Sequence, residues 1–430
     1  MKTIVRGKLI HSLDKPGSGK SETDIEYIDD GALLLDDGHI QVKGLYAQLI
    51  KEYPGIQVQD HSGCYIIPGM VDAHVHSVQS GAMASYGSEL LEWLENHIFP
   101  LENRFNDPEF ARTQIDFFLK QLLKNGTTTA AVFSSLHTST TELLFEKASE
   151  LKLRIISGKT LMDRNAPEYL TEPAQRSYDR SLALIKKWHQ RGRIQYAITP
   201  RYAITSSPEE LELAGSLKNE FPDLYIQTHI SENRNEVKEV LRLFKDARHY
   251  LEVYARYGLI TGKTLLAHCI HLSREEMEFM ATHGATAVHC PAANLFLGSG
   301  MFDYHEMKNA GIRVAAGTDV GAGDSFSMLR TMNQAYKVSV MKGHPISPAE
   351  LFHLATLGGA MALSLDQYIG NFEPGKEADL VVLDPSAIDL VKYRLGFCEN
   401  IDDVIFTLIM LGDERLVKTV YIFGKEIRHV

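Results

Sequence analysis

The run Pro68-Gly69-Met70-Val71-Asp72-Ala73-His74-Val75-His76 sets two histidines two positions apart. If the run is a strand, both side chains leave the same face and both imidazoles can aim at one metal ion. An isolated core histidine needs no such reading, because hydrogen bonds satisfy it, so the weight of the pair comes from elsewhere in the chain. His229, His268 and Asp319 each close a separate apolar, β-prone run. Three neutral imidazoles and a carboxylate suit Zn²⁺ or Fe²⁺, whereas Ca²⁺ and Mg²⁺ prefer shells of oxygen. A single ion is expected, since Tyr196-Ala197-Ile198-Thr199-Pro200-Arg201 ends without the lysine that would be needed to bridge two metals in related binuclear sites. Glu232 follows His229 by three residues, near enough to reach the same pocket as a proton shuttle. The position equally suits an ordinary acid at a helix start, where the helix dipole favours negative charge, and spacing does not separate the two.

Bringing these groups together requires a scaffold. Candidate strands cover residues 72–76, 128–133, 154–159, 195–199, 225–229, 264–268, 286–289 and 312–319, alternating with helical patterns. That alternation predicts a parallel sheet with crossover helices. Ser207-Pro208-Glu209-Glu210, Ser273-Arg274-Glu275-Glu276 and Ser347-Pro348-Ala349-Glu350 read as helix starts, with Ser at the cap and Glu three residues on. Eight βα units predict an α/β fold of the (β/α)₈ TIM-barrel type, with His229, His268 and Asp319 at its C-terminal mouth. The chain ends read differently. Short β-prone runs at 3–5, 32–35, 39–42, 65–67, 379–383 and 420–423 are punctuated by Asp29-Asp30-Gly31, Asp36-Asp37-Gly38 and Phe423-Gly424-Lys425, which read as hairpin turns. Residues 1–67 and 371–430 are expected to form a composite β-sandwich domain, and residues 68–370 a catalytic barrel.

Composition narrows the class further. At 430 residues, 44% hydrophobic and 23% charged, the chain is an ordinary globular protein, which excludes disorder, collagen-like repeats and coiled coil. A formal net charge of −11 repels a phosphate backbone, so nucleic acid is not an expected partner. Cys64, Cys269, Cys290 and Cys398 form no CxxC pair, as expected of thiols kept reduced inside a cell. Arg6 and Lys8 interrupt the N-terminal apolar run, and no run approaches the ~20 residues of a membrane helix. A cytoplasmic protein without membrane partners is expected.

The phrases His74-Val75-His76-Ser77-Val78-Gln79, Leu91-Glu92-Trp93-Leu94, Asn125-Gly126-Thr127-Thr128-Thr129, Thr199-Pro200-Arg201-Tyr202, His229-Ile230-Ser231-Glu232-Asn233, Ala267-His268-Cys269, His289-Cys290-Pro291 and Gly317-Thr318-Asp319-Val320 resemble the amidohydrolase superfamily. The resemblance runs from about residue 60 to the C-terminus. The HxH pair, the later histidines and Thr-Asp are general to that superfamily. Gln79, the run containing Trp93 and the Pro-Arg-Tyr triplet are similar to its guanine-deaminating members. The resemblance implies His74, His76, His229 and Asp319 as ligands of one Zn²⁺ per chain, with Fe²⁺ the other candidate. It also implies Glu232 as proton shuttle, with Gln79, Trp93, Arg201, Tyr202 and His268 around a small-molecule purine, in a homodimer. The implied reaction is hydrolytic deamination of guanine to xanthine and ammonia by a metal-activated hydroxide, with Glu232, Asp319 and His268 catalytic. Zinc brings the pKa of bound water to roughly 7, Asp319 takes the water proton, and Glu232 protonates N3 and then the leaving amine. Arg201 offers donors only, which suits the 6-oxo group and not the 6-amino group of adenine. The chain departs from the family's usual pattern at Tyr202, where Phe is common, at Ser80, where many relatives have Tyr, and at Asp324, read as a solvated loop acid.

Other signals carry less. Gly17-Ser18-Gly19-Lys20-Ser21 looks like the end of a phosphate loop, but the pattern needs Gly where Asp14 stands, so a hairpin tip is expected. Cys269 and Cys290 alternate away from their neighbouring histidines and read as small buried hydrophobes, while His289 reads as a brace for the pocket. Two alternatives stay open. One is a sister hydrolase acting on a triazine, a pterin or an oxidised purine, against which Gln79 and Arg201 argue. The other is a non-catalytic barrel used for interaction, against which the complete ligand set argues.

Overall fold

The computed structural model describes residues 2–13, 25–87 and 89–427; the Gly17–Ser21 segment lies outside them. The chain opens with strands β1 (Thr3–Ser12), β2 (Ile25–Asp36), β3 (His39–Leu45) and β4 (Gln57–Pro68). Asp37 and Gly38 link β2 to β3 with φ of 45° and 79°, the paired positive values of a two-residue hairpin turn. Asp29-Asp30-Gly31 does not turn: it lies inside β2, with Gly31 opposite Gly7 at a register slip. A Cβ on Gly31 would stand 2.6 Å from the Leu9 side chain. This glycine permits close approach at a bulge, a use that looks like a turn signal in the sequence.

The barrel strands follow as β5 (Met70–His76), β6 (Thr127–Phe133), β7 (Arg154–Gly158), the short β8 (Thr160–Leu161), β9 (Ile194–Pro200), β10 (Tyr225–Ile230), β11 (Thr264–His268), β12 (Thr286–His289) and β13 (Arg313–Ala316). They pair in the order β13-β12-β11-β10-β9-β7-β6-β5, all parallel, with β8 adding only a pair beside β9. Every residue of β6 is buried, as expected where helices cover a parallel sheet. Strands β14 (Leu380–Leu383), β15 (Val417–Ile422) and β16 (Lys425–Ile427) return to the first sheet, which runs β16-β15-β14-β4-β1-β2-β3. A (β/α)₈ barrel carrying a second sheet made from both chain ends is therefore the architecture. Arg154 and Arg193, at the N-terminal ends of β7 and β9, bind Glu377, and Arg193 also binds Asp379, which pins the approach to β14 beneath the barrel. Among the described residues no helix is long and apolar enough to cross a membrane.

The eighth barrel strand stops at Ala316, short of the expected Asp319. Gly317 lies so close to β5 that a Cβ there would be 2.8 Å from His74 Cβ, and two residues on Asp319 has a φ of 49°. The barrel closes through this segment: Asp319 N–H donates to His74 O at 2.9 Å and His76 N–H to Val320 O at 3.2 Å.

Ser273 and Ser347 form the expected capping boxes. Ser207 caps its helix, but its own N–H donates to Asp163 at 2.7 Å, so Glu210 does not close a box and turns inward. Glu210 is 1% exposed, and burial, with the charge of Asp163, pushes its carboxyl up to about 8. Below about pH 4.5 the acid is neutral folded and unfolded and carries no penalty. Between about 4.5 and 8 the unfolded chain releases the proton that the folded chain keeps, and stability falls as pH rises. Glu210→Gln is accordingly expected to gain a few kcal/mol over the parent at pH 9 and little at pH 4, read by urea unfolding. Equal pH dependence in both proteins would show that Glu210 is not the group responsible.

Candidate active site

His74 and His76 leave β5 on one face, His229 comes from β10, and Asp319 from the loop after β13. Their four donor atoms lie within 4.8 Å of one another. His76 Nε2 is 3.3 Å from His229 Nε2, and Asp319 Oδ1 is 3.3 Å from His74 Nε2 and 3.2 Å from His76 Nε2. His229 Nδ1 donates to the Arg201 carbonyl at 2.6 Å, which turns the lone pair of a neutral ring toward the cluster. Burial lowers His76 to about 4 and His229 well below its ordinary value, so both rings are neutral at pH 7. Burial pushes Asp319 up, but the surrounding histidines, His74 first, outweigh it and hold the carboxyl well below its usual range. His74 Nε2 is buried without a hydrogen-bond partner. Converging lone pairs with an orphaned nitrogen fit a divalent cation in the donor chemistry of nitrogen-rich sites.

Asp72 holds the arrangement from beneath. Its carboxylate accepts from His74 N–H at 3.2 Å and from Thr318 N–H and Oγ1 at 3.0 and 2.5 Å, tying β5 to the loop that carries Asp319. Ser231, His268 and Asp319 all have φ between 49° and 75°, an uncommon conformation for these residues gathered at the strand ends.

A cavity opens above the donors. Its lining includes His76, Gln79, Trp93, Arg201, Tyr202, His229, Glu232, His268 and Asp319, with Leu90, Leu94, Leu297 and Ala322 as apolar wall. His74 sits at the base, outside that lining. Trp93 ends a helical turn that passes into a π turn over Leu94–Ile98, and its indole N–H donates to Ser85 O at 3.2 Å.

Glu232 precedes its helix, which starts at Arg234 behind the cap residue Asn233. Its carboxylate therefore lies outside the helix's first turn and enters the cavity, with Oε1 accepting from Ser299 Oγ at 3.3 Å and Oε2 3.4 Å from His268 Nε2. Burial first, and then the charge of Asp319, raise its carboxyl to about 8. His268 Nε2 is 3.8 Å from Asp319 Oδ2, and its Nδ1 meets Asn294 Oδ1 at 2.8 Å.

Four polar neighbours escape the sequence reading. Glu236 closes the capping box with Asn233, accepts from the Glu232 and Asn233 N–H groups at 2.8 and 3.1 Å, and takes the Tyr250 hydroxyl at 2.8 Å. Its Asn-x-x-Glu spacing was a usable signal. Glu102 bridges Gln79 and Arg201, and Asn294 and Ser299 orient His268 and Glu232; none of these has a local signature. Asp324 is half-exposed, 3.8 Å from Arg330. Cys269 and Cys290 are buried with thiols pushed well above their ordinary value, although Cys290 Sγ falls within 4.8 Å of donors on His268 and Asp319. His289 stacks on Phe302 at 4.5 Å and lies outside the cavity lining.

Residues 65–427 match the amidohydrolase family. With a parallel barrel and a His/Asp donor cluster at its C-terminal mouth, the chain belongs to that family, whose members are metal-dependent. Within it, the chain is 44% identical over 425 residues to guanine deaminase of Escherichia coli (strain K12), covering 98% of this chain and 96% of that one. The solved structure of E. coli guanine deaminase matches with a TM-score of 0.96 at 43% identity over 99% of both chains. That of C. acetobutylicum guanine deaminase, with guanine bound in the active site, matches with a TM-score of 0.90 at 31% identity, covering 99% of this chain and 100% of that one.

Proposed function

We propose that this chain hydrolyses guanine to xanthine and ammonia. One observation carries the reading: a single cavity joins the donor cluster to Glu232 and to the Arg201 and Gln79 side chains, in a chain similar over nearly its whole length to guanine deaminases. In this reading His74, His76, His229 and Asp319 would hold one divalent cation, Zn²⁺ ahead of Fe²⁺. When bound, such an ion supplies Lewis acidity that brings the pKa of a water to about 7.

The chain's own groups do the rest. Arg201 donates to the 6-oxo group, and Trp93, Tyr202 and the leucines hold the ring faces. Asp319 receives a proton as the water oxygen bonds to C2, and Glu232 delivers a proton to N3. His268 Nε2 stands between the two carboxylates and orders the space the water occupies. The proton on Asp319 passes through Glu232 to the amine, the C2–N bond breaks, and ammonia leaves. Loss of the hydroxyl proton from C2 restores Glu232 and forms the 2-oxo group of xanthine, with N3 keeping its new proton.

Ammonia release measured side by side from guanine, adenine, cytosine, an aminotriazine and a pterin tests the reading. Guanine is expected to lead in kcat/KM by at least ~10²-fold, since a site that hydrogen-bonds its substrate rejects rings that leave those groups unpaired. Preference for the triazine or the pterin would replace guanine with that sister substrate.

A further inference from the structure

Glu102 lies in the short helix Phe99–Asn103, is 3% exposed, and has no part in the proton transfers above. Its Oε1 accepts from Gln79 Nε2 at 2.9 Å and its Oε2 from Arg201 Nη1 at 2.6 Å. A carboxylate so deeply buried is costly unless its charge and lone pairs are met. Here one oxygen is assigned to each of two side chains that line the cavity.

The consequence lies in the amide. Gln79 can present either end of its side chain to the cavity, and the two ends have opposite hydrogen-bonding sense. A carboxylate only accepts, so it holds the NH₂ end and leaves Oε1 for the cavity. The same nitrogen is 3.2 Å from His76 Nδ1, but the shorter contact to a full carboxylate decides the orientation. Among the described residues Gln79 Oε1 has no hydrogen-bond partner, and the Arg201 guanidinium, which lies over the Phe99 ring at 5.5 Å, hydrogen-bonds a side chain only through Nη1. The cavity is thus offered an acceptor beside donors, both fixed by one buried acid.

We propose that Glu102 is a positioning residue that sets this acceptor and donor side by side to read the H–N1–C6=O edge of guanine. The inference rests on the guanine reading. On that edge N1–H donates to Gln79 Oε1 and O6 accepts from Arg201. 2,6-Diaminopurine carries the same 2-amino group to be released but presents the reverse edge, with N1 an acceptor and a 6-amino donor. Glu102 therefore acts on selectivity, through the orientation of its two partners.

The test is the ratio of kcat/KM for guanine to that for 2,6-diaminopurine, in the parent and in Glu102→Gln, with bound metal and melting temperature measured on the same samples. An amide at 102 brings a donor of its own. Either Gln79 turns to meet it and offers NH₂ to the cavity, or Arg201 faces a donor. The ratio is expected to fall at least ~10-fold, a loss of about one hydrogen bond, with metal content unchanged. Glu102→Asp, which keeps the charge but is one methylene shorter, is read in the same assay and is also expected to lower the ratio, so a misfolded Gln variant does not end the test. Equal loss toward both substrates, with the ratio intact in the folded variants, would make Glu102 merely structural and overturn the proposal. A parent that fails to deaminate guanine would instead overturn the functional reading beneath it, and the parent assay alone decides that.

Discussion

Glu232→Gln is expected to lose ~10²–10⁴-fold in kcat while keeping its fold and its metal, the range typical of removing a general acid–base group. The substitution is close to isosteric. Glutamine can still accept from Ser299 Oγ, and the backbone at 232 is held by the Glu236 carboxylate whatever the side chain. What it cannot do is give up and regain a proton. The environment separates Glu232 from Asp319: burial raises Glu232 to about 8, whereas the histidines hold Asp319 well below its usual range. Two carboxyls pushed apart in this way divide into an acid and a base. Steady-state kinetics with elemental analysis of the same preparation checks the expectation. Loss of metal together with activity would make Glu232 a structural support of the cluster. A near-normal kcat would remove it from the reaction.

Chelation is the second large effect, expected to abolish activity and to lower the melting temperature, with both restored by about one equivalent of Zn²⁺ or Fe²⁺ per chain. The structural reason is the unshared donor set. Without a cation, His74 Nε2 has no hydrogen-bond partner and the Nε2 atoms of His76 and His229 face each other 3.3 Å apart. Buried polar atoms in that state oppose folding. A ligand that binds only the folded chain stabilises it by about 2.7 kcal/mol at a hundred times its Kd, enough to read in a thermal scan. Elemental analysis giving two equivalents at full activity would refute the single-ion reading. Full activity in verified metal-free protein would refute metal dependence altogether.

What could be read from residues alone is what depends on short-range geometry. Period-two alternation puts His74 and His76 on one face of β5 wherever that strand goes. Alternating strand and helix patterns define the parallel barrel, and barrel strand ends share one mouth, which is why His229 and His268 could be grouped with them. The caps at Ser273 and Ser347 lie within three residues of what they bind, so they too were legible.

Tertiary structure decided the rest, wherever the partner is remote. Asp319 was expected on a strand and instead sits on a loop, because Gly317 packs against His74 and Asp72 reaches across the barrel seam to Thr318. Ser207 should have boxed with Glu210, but Asp163, 44 residues away, claims its backbone and leaves Glu210 in the core. Gly31 looked like a turn residue, and only its contact with Leu9 shows a bulge. Glu102 is the clearest case: its partners lie 23 and 99 residues away, and no pattern in Phe-Pro-Leu-Glu-Asn marks it. Residue types and local spacing determined which chemistry this chain can do. Which way an amide faces, and whether a buried acid is paired or left alone, depends on groups that meet only after the barrel closes, because hydrogen bonds act over about 3 Å whatever the separation along the chain.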